Sequence, residues 1–578
     1  MRILFLTHGF NSLAQRLFIE LEARGHRVTV EFDINDQVTV EGVALADPDL
    51  IIAPFLKRRI PEVVWRRHTC LIVHPGPVGE RGPSSLDWAI LTGAETWGVT
   101  VVEATADLDG GPVWAHAEFP MRAATKSSLY RNEVTEAAAE AVLQAVARFE
   151  TYAGPLGKAK DLVECAPIGW RPFMRQEARR IDWQNDPTVA VLRKIRASDG
   201  APGVRDTLLG QDVRLFDAYE AQGFSGAPGE VIARSETAIC RATSDGAVWI
   251  GRLCDDAQEK RLKRPAAHVL GDALDGVPLV ETEPEMREAS VPGLAPNPIR
   301  YSEHGKVGVL SFAFLNGAMG TAACRALLDA YRAALARPTK VLVLSGGPDF
   351  WSNGMDLNAI EAAESAADES WENINAIDDI AEAVIRTTDR IVVAAIAGNT
   401  GAGGVFLARA ADQVWLREGV VLNPHYKDMG NLYGSEFWTY LLPRHVGAKN
   451  AARIVDARLP MGTDEALELG LADRVIAAKG AGFENGTLEA ARALADAADL
   501  DARIAEKHAL RTTHESEKPL SAYRDAELAR MRMNFYGFDP SYHVARYNFV
   551  FKVPKSRTPI TIARHRDKRR ETGWRIAS

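Results

Sequence analysis

Leu71-Ile-Val-His74-Pro-Gly-Pro-Val-Gly-Glu-Arg81-Gly-Pro-Ser-Ser-Leu-Asp-Trp88-Ala-Ile runs from an apolar stretch through a turn rich in glycine and proline into a helical pattern. A short apolar run bounded in this way reads as a buried strand, and this one ends on a histidine. The same texture repeats on either side. Arg2-Ile-Leu-Phe-Leu-Thr, the helical Leu17-Phe-Ile-Glu-Leu-Glu-Ala and Val28-Thr-Val have the spacing of a parallel strand–helix–strand unit, and Leu50-Ile-Ile-Ala and Gly98-Val-Thr-Val-Val continue it. Residues 1–180 are expected to form a doubly wound, Rossmann-like α/β domain, whose ligands gather at the carboxyl ends of the strands. His74 stands at such an end.

From Ile181-Asp-Trp183 to residue 273 the runs shorten and alternate (Val213-Arg-Leu-Phe, Gly229-Glu-Val-Ile-Ala, Ala247-Val-Trp-Ile), which predicts a small, OB-like β-barrel. Residues 274–299 are proline-rich and read as a linker. Beyond it, Val307-Gly-Val-Leu, Val341-Leu-Val-Leu and Ile391-Val-Val-Ala-Ala-Ile are strand candidates separated by Ala-rich helical stretches, so 300–578 is expected to be a second α/β domain. Helices are expected over 488–512 and 522–534.

A chain of 578 residues has room for roughly three or four domains. Its net charge of -9 and pI near 5.9 argue against a nucleic-acid partner, which would require clustered Lys and Arg. The five cysteines (Cys70, Cys165, Cys240, Cys254, Cys324) are widely spaced with no C-x-x-C pair, which suggests neither a disulfide framework nor a metal site. No apolar run approaches the roughly 18 residues of a membrane span. A soluble cytoplasmic protein acting on small molecules is the expectation.

The first 270 residues, through His74, the Arg81-Gly-Pro-Ser-Ser turn, Asp107-Leu-Asp109-Gly-Gly111 and the Ile195-Arg-Ala-Ser-Asp-Gly-Ala-Pro-Gly segment, resemble the methionyl-tRNA formyltransferase and 10-formyltetrahydrofolate hydrolase family. The resemblance implies that His74 and Asp109 do the chemistry. Attack on a formamide builds a tetrahedral oxyanion; an imidazolium can stabilise it, and a carboxylate keeps that imidazolium charged and oriented. The family's Asn two residues before the His is Ile72 here, which donates no hydrogen bond. Losing such a donor typically costs about 10²–10³ in rate, an effect that a strong nucleophile such as a thiolate offsets in part. Gln15 and Arg16 open the first helix, where free N–H groups favour an anion; Gln15, Arg131 and Ser198 are the candidate folate- or cofactor-binding residues.

Residues 300–578 resemble the crotonase (enoyl-CoA hydratase/isomerase) family through Ser352-Asn-Gly-Met355-Asp356-Leu and Gly398-Asn-Thr-Gly-Ala-Gly-Gly404. The resemblance implies that the amides of Met355 and Gly403 hold a thioester oxygen. The two glutamates used by hydratases fall at Phe406 and His425. Water addition needs two proton transfers and Phe406 supplies none, so a hydratase is not expected. Tyr426 and Glu436 are the proton-handling candidates, with His425 behind them, and Lys552 and Arg557 match the family's basic segment that reaches CoA phosphates.

The combination, with Ile72 and Phe406 in place of polar groups, resembles the HypX (HoxX) hydrogenase maturation factors along the whole chain. That implies formyl transfer from 10-formyltetrahydrofolate to coenzyme A, then decarbonylation of formyl-CoA to carbon monoxide for a [NiFe]-hydrogenase, with hydrogenase maturation proteins as partners. A hydrolase releasing formate, and a non-catalytic maturation scaffold, remain open. An ordinary methionyl-tRNA formyltransferase is disfavoured by Ile72 and the acidic charge.

Overall fold

The computed structural model describes residues 1–151, 168–286, 292–478 and 480–567; Cys165 and the end of the basic run Arg564–Arg570 lie outside the described residues. The chain opens with β1 (Arg2–Thr7), β2 (Arg27–Phe32), β3 (Leu50–Ala53) and β4 (Cys70–His74), followed by β5 (Glu80–Arg81), β6 (Thr96–Glu103), β7 (Val113–Pro120) and β8 (Gly169–Trp170). One sheet has the order β2-β1-β3-β4-β6-β7, parallel from β2 to β4 and antiparallel beyond, and β5 pairs with β8 in a small parallel ribbon. The near-continuous apolar strands are buried because helices cover the sheet. Helix Ser12–Ala23, capped by the Asn11 side chain, lays Leu13, Leu17 and Leu21 against Ile3, Phe5 and Leu71.

The middle of the chain forms β9 (Val204–Leu208), β10 (Gln211–Glu220), β11 (Val231–Arg234), β12 (Ile239–Ala242), β13 (Ala247–Asp255) and β14 (Arg264–Pro265). They make one antiparallel sheet ordered β11-β12-β13-β10-β9, with β14 on β13; β11 and β9 are not paired with each other, so the expected barrel is left open. Residues of the expected linker return to this sheet, with the Val280 N–H donating to the Arg234 carbonyl at 2.8 Å.

The C-terminal half contains β15 (Ile299–His304), β16 (Val307–Phe312), β17 (Val341–Ser345), β18 (Phe350–Ser352), β19 (Ile391–Ile396), β20 (Asn399–Gly401), β21 (Gln413–Arg417), β22 (Leu422–Asn423) and β23 (Arg474–Ile476). The larger sheet runs β15-β16-β17-β19-β21-β23 and a smaller one β18-β20-β22. Three successive parallel strands of the large sheet, β17, β19 and β21, each continue into a strand of the small one. The turns leaving β18 and β20 are thereby brought side by side. The helix expected over 488–512 is two helices, Ala481–Ala495 and Leu500–Glu517, interrupted where Asp499 takes the Arg503 guanidinium at 2.8 Å.

Residues 558–566 cross back to the N-terminal sheet. The Val30 N–H donates to the Ile562 carbonyl, the Phe32 N–H to Thr558 Oγ1, and the buried Glu31 carboxylate takes Thr558, His565 and Arg566. A second seam joins the halves directly: Ser128 and Asn132 donate to Asp349, Arg417 pairs with Glu136 at 3.0 Å, and Asn423 donates to Gln15 at 3.0 Å.

Candidate functional site

His74 ends β4, where the ladder sets it opposite Thr100 of β6. The turn after it is pinned from above: Thr100 Oγ1 donates to the Gly76 carbonyl at 2.8 Å, and Trp97 Nε1 and Ser85 Oγ both donate to the Pro75 carbonyl. That turn folds Glu80 back onto the ring. His74 Nε2 lies 2.6 Å from Glu80 Oε2, and Nδ1 lies 3.7 Å from Asp109 Oδ2, which also accepts the Gly82 N–H at 3.2 Å. His74 and Glu80 are buried, and a methyl group on Gly76 would collide with both, so only glycine fits there. Among the described residues Glu80 Oε1 has no hydrogen-bond partner, and the Arg171 guanidinium lies 4.0 Å from it. Ile72 packs with Val78, Val102 and Val113 in an apolar wall. A cavity of about 430 Å³ outside this centre is lined by Arg59, Arg81, Asp107 and Trp170 among others.

In the C-terminal half, Gly354 (φ +75°) approaches Gly403, so that a methyl group on it would lie 3.7 Å from Gly403 N. Met355 follows in the first turn, and Gly403 begins the helix Gly403–Arg409. A methyl group on Gly403 would collide with the Glu436 carboxyl, which therefore lies directly over the second turn. Tyr426 donates its hydroxyl to Glu436 Oε2 at 2.6 Å and stacks on Phe406, centroids 5.2 Å apart. Glu436 and Phe437 both have φ of 58°, a strained pair for non-glycine residues. Two carboxylates hold them: Asp378 accepts the Glu436 N–H at 2.8 Å and the Ser435 hydroxyl at 2.7 Å, and Glu527 accepts the Phe437 and Thr439 N–H groups at 2.9 and 2.8 Å.

Crowding three buried carboxyls sets their protonation. Burial first, and then the charge of Asp378, raises Glu436 to about 8. Burial does the same for Glu527, also to about 8, and lifts Asp378 to about 6. Tyr426 is pushed well above its ordinary range by burial and by Glu436. Burial and the neighbouring carboxyls accordingly shift Glu436 toward its protonated form.

Of the residues singled out from sequence, the structure brings His74 to Asp109, and Tyr426, Glu436 and Gly403 together beside Met355. His425 stands apart, its buried Nδ1 without a hydrogen-bond partner among the described residues and 4.0 Å from Asp428 Oδ2. Gln15 and Arg131 lie on the seam between the halves: Gln15 on Asn423 of β22, and Arg131 on Asn316 at 3.1 Å with its guanidinium over the Phe350 ring of β18. Each thus touches the small sheet from which the two Gly-rich turns emerge. Ser198 is fully buried, giving its hydroxyl to the Lys194 carbonyl and accepting from Arg179. Lys552 keeps solvent contact; packing, then the nearby Lys57 and Lys126, lower its ammonium below the usual lysine value. Arg557 is exposed beside the anchored Thr558. Sequence reasoning missed Glu80, Asp378 and Glu527. Asp378 did leave a signal, a charge on the apolar face formed by Ile374, Ile377 and Ala381.

Residues 33–146 match the formyl transferase family model, 174–263 that of the formyl transferase C-terminal domain, and 317–537 that of enoyl-CoA hydratase/isomerase. Hydrogenase maturation factor HoxX of Bradyrhizobium diazoefficiens is 57% identical over 581 residues, covering all of both chains. The chain belongs to the HypX (HoxX) hydrogenase maturation factors. A crystal structure of HypX from Aquifex aeolicus in complex with tetrahydrofolic acid superposes with a TM-score of 0.93 at 47% identity, covering 98% of this chain and 99% of that one. Methionyl-tRNA formyltransferase of Ruegeria pomeroyi is 30% identical over 188 residues, 32% of this chain and 59% of that protein. A HypX factor thus joins two enzyme frames, a formyltransferase and a crotonase. Among the described residues no helix is long and apolar enough to cross a membrane.

Proposed function

We propose that this HypX factor moves a formyl group from 10-formyltetrahydrofolate to the thiol of coenzyme A at His74 and Asp109, and breaks the resulting thioester to carbon monoxide and free thiol at Glu436. The Aquifex complex with tetrahydrofolate supports a reduced folate as donor. Supporting the carrier are the paired turns around Met355 and Gly403 and the lysines near the C-terminal basic segment: Lys57, Lys126 and Lys263 crowd Lys552 with positive charge suited to phosphates. Gln15, Arg131 and Arg557 would line the carrier's path, and Ser198 would act through Arg179 rather than by contact. Loading in the cytoplasm and delivery to a hydrogenase maturation partner complete the reading.

The observation that carries it is the Glu436–Tyr426 couple lying on Gly403 where hydratases keep glutamates at other positions. In the second step the C–S electron pair leaves with sulfur, the formyl C–H pair stays on carbon as carbon monoxide, and the formyl proton passes through Glu436 and Tyr426 to the thiolate. Amides at Met355 and Gly403 hold the formyl oxygen. The surrounding apolar groups, Phe406 and Trp438 among them, limit access of water and so hydrolysis to formate.

Mixing enzyme, coenzyme A and 10-formyltetrahydrofolate in the presence of reduced haemoglobin should produce the carbonyl spectrum. Formate without carbon monoxide would make the protein a hydrolase instead, and neither product would leave a scaffold.

A further inference from the structure

Glu80 has no counterpart in the roles implied by the formyltransferase resemblance, yet it makes the shortest polar contact in the N-terminal centre. It reaches His74 from β5, is buried, and keeps Oε1 without a hydrogen-bond partner among the described residues. Burying a carboxylate oxygen unsatisfied costs about 1–3 kcal/mol or more. Such a group persists where a ligand supplies the missing donor. The charged groups facing it are His74 from β4, Arg171 just beyond β8 at 4.0 Å, and Asp109 across the imidazole.

Formyl transfer from an amine to a thiol poses a proton problem that transfer between amines does not. The thiol must lose its proton before attack, the leaving nitrogen must gain one, and His74 alone stands on one side of the exchange. Resting on the formyl-transfer reading above, we infer that Glu80 is a second catalytic carboxylate, the base that takes the acceptor thiol's proton and relays it through His74 to the leaving amine. In that step the S–H bond breaks with its proton going to Glu80 Oε1, the S–C bond forms and the C–N bond breaks. The departing nitrogen takes a proton from the His74 imidazolium, and the Glu80 carboxyl, its proton passing from Oε1 to Oε2, returns one to Nε2 across the 2.6 Å Oε2 contact. The thiol proton ends on the amine, with no net change in the enzyme.

The test compares Glu80→Gln with wild type in formyl-CoA formation from 10-formyltetrahydrofolate and coenzyme A across pH 6.5–8.5. Removing a general base lowers rates by about 10²–10⁴, so a loss of at least about 100-fold is expected near neutral pH. Because an ordinary thiol ionises near pH 8.5, the variant should recover by close to tenfold per pH unit relative to wild type. A loss that stays constant across pH, or no loss, overturns the assignment. Cleavage of supplied formyl-CoA by the same variant reports folding and should equal wild type. Were the variant misfolded, Glu80→Asp would decide: a base drawn back by one methylene should slow transfer without changing its pH dependence, and an unchanged rate would overturn the role. If wild type itself makes no formyl-CoA, the formyl-transfer reading fails, which is a different outcome from any of these.

Discussion

In the N-terminal centre, the His74 imidazole is buried between the carboxyl groups of Glu80 and Asp109; in the C-terminal centre, Glu436 is buried with two further carboxyl groups, Asp378 and Glu527. Opposite charges let groups stay ionised away from water, whereas like charges force protons to remain. The first centre places an imidazole within reach of two carboxyl groups. The second holds a carboxyl shifted toward its neutral form against the Gly-rich turn at Gly403. Each centre sets a carboxyl beside an apolar side chain expected from sequence to stand where the related families carry a polar one, Ile72 in one half and Phe406 in the other.

The largest expected effect falls on the first centre alone. His74→Ala should lower formyl-CoA formation by about 10³-fold, while cleavage of supplied formyl-CoA continues at the wild-type rate; following both half-reactions on one preparation checks this. If both rates fell together, the two centres would not be separable. Next comes the tail that ties the halves. Glu31→Ala strands His565, and breaking a buried pair costs about 3–5 kcal/mol, to be read as a lowered midpoint in denaturant.

Glu436→Gln should spare formyl transfer and slow carbon monoxide release by about 10²-fold. Its stability sharpens the contrast in charge. A carboxyl raised from 4.5 to about 8 in the folded chain holds a proton that the unfolded chain has already released above pH 4.5. Its contribution is present below that pH and is lost as pH rises toward 8, so wild type weakens over this window. The glutamine variant escapes this loss. Its melting temperature should exceed wild type at pH 9 by more than at pH 5, and equal differences at the two values would contradict the like-charge account. The smallest effect belongs to the seam: Gln15→Ala removes one hydrogen bond to Asn423, worth about 0.5–1.5 kcal/mol, and should slow the coupled reaction more than either half-reaction measured alone.

The parallel sheet and the Gly-rich turns were legible because their signals are local. A run of apolar residues ending on His74, and glycines where backbone must approach a ligand, declare themselves within a few positions. Glu80 sat inside the same stretch and went unread, since its partner depends on a turn folding back, which spacing does not show. Asp378 and Glu527 lie on helices 58 and 91 residues from Glu436 in sequence, and only packing joins them. Gln15 and Arg131 were chosen for a helix terminus and a basic charge; Gln15 does stand in the first turn of helix Ser12–Ala23, and both lie on the seam, bonded to Asn423 and Asn316, which spacing does not show. Ser198 shows the opposite case, a motif position whose hydroxyl is consumed inside its own domain. The open edge of the middle sheet was illegible for a similar reason, because alternation specifies strands but not closure.

The central claim is that one carrier is loaded near His74 and emptied over Gly403 within the same molecule. Mixing His74→Ala with Glu436→Gln, each intact in the other's centre, at coenzyme A equimolar with protein, tests this directly. Carbon monoxide should form from the mixture at a small fraction of the rate of an equal amount of wild type. A mixture as productive as wild type would show the thioester travelling freely through solution, and the claim of transfer within one chain would fall.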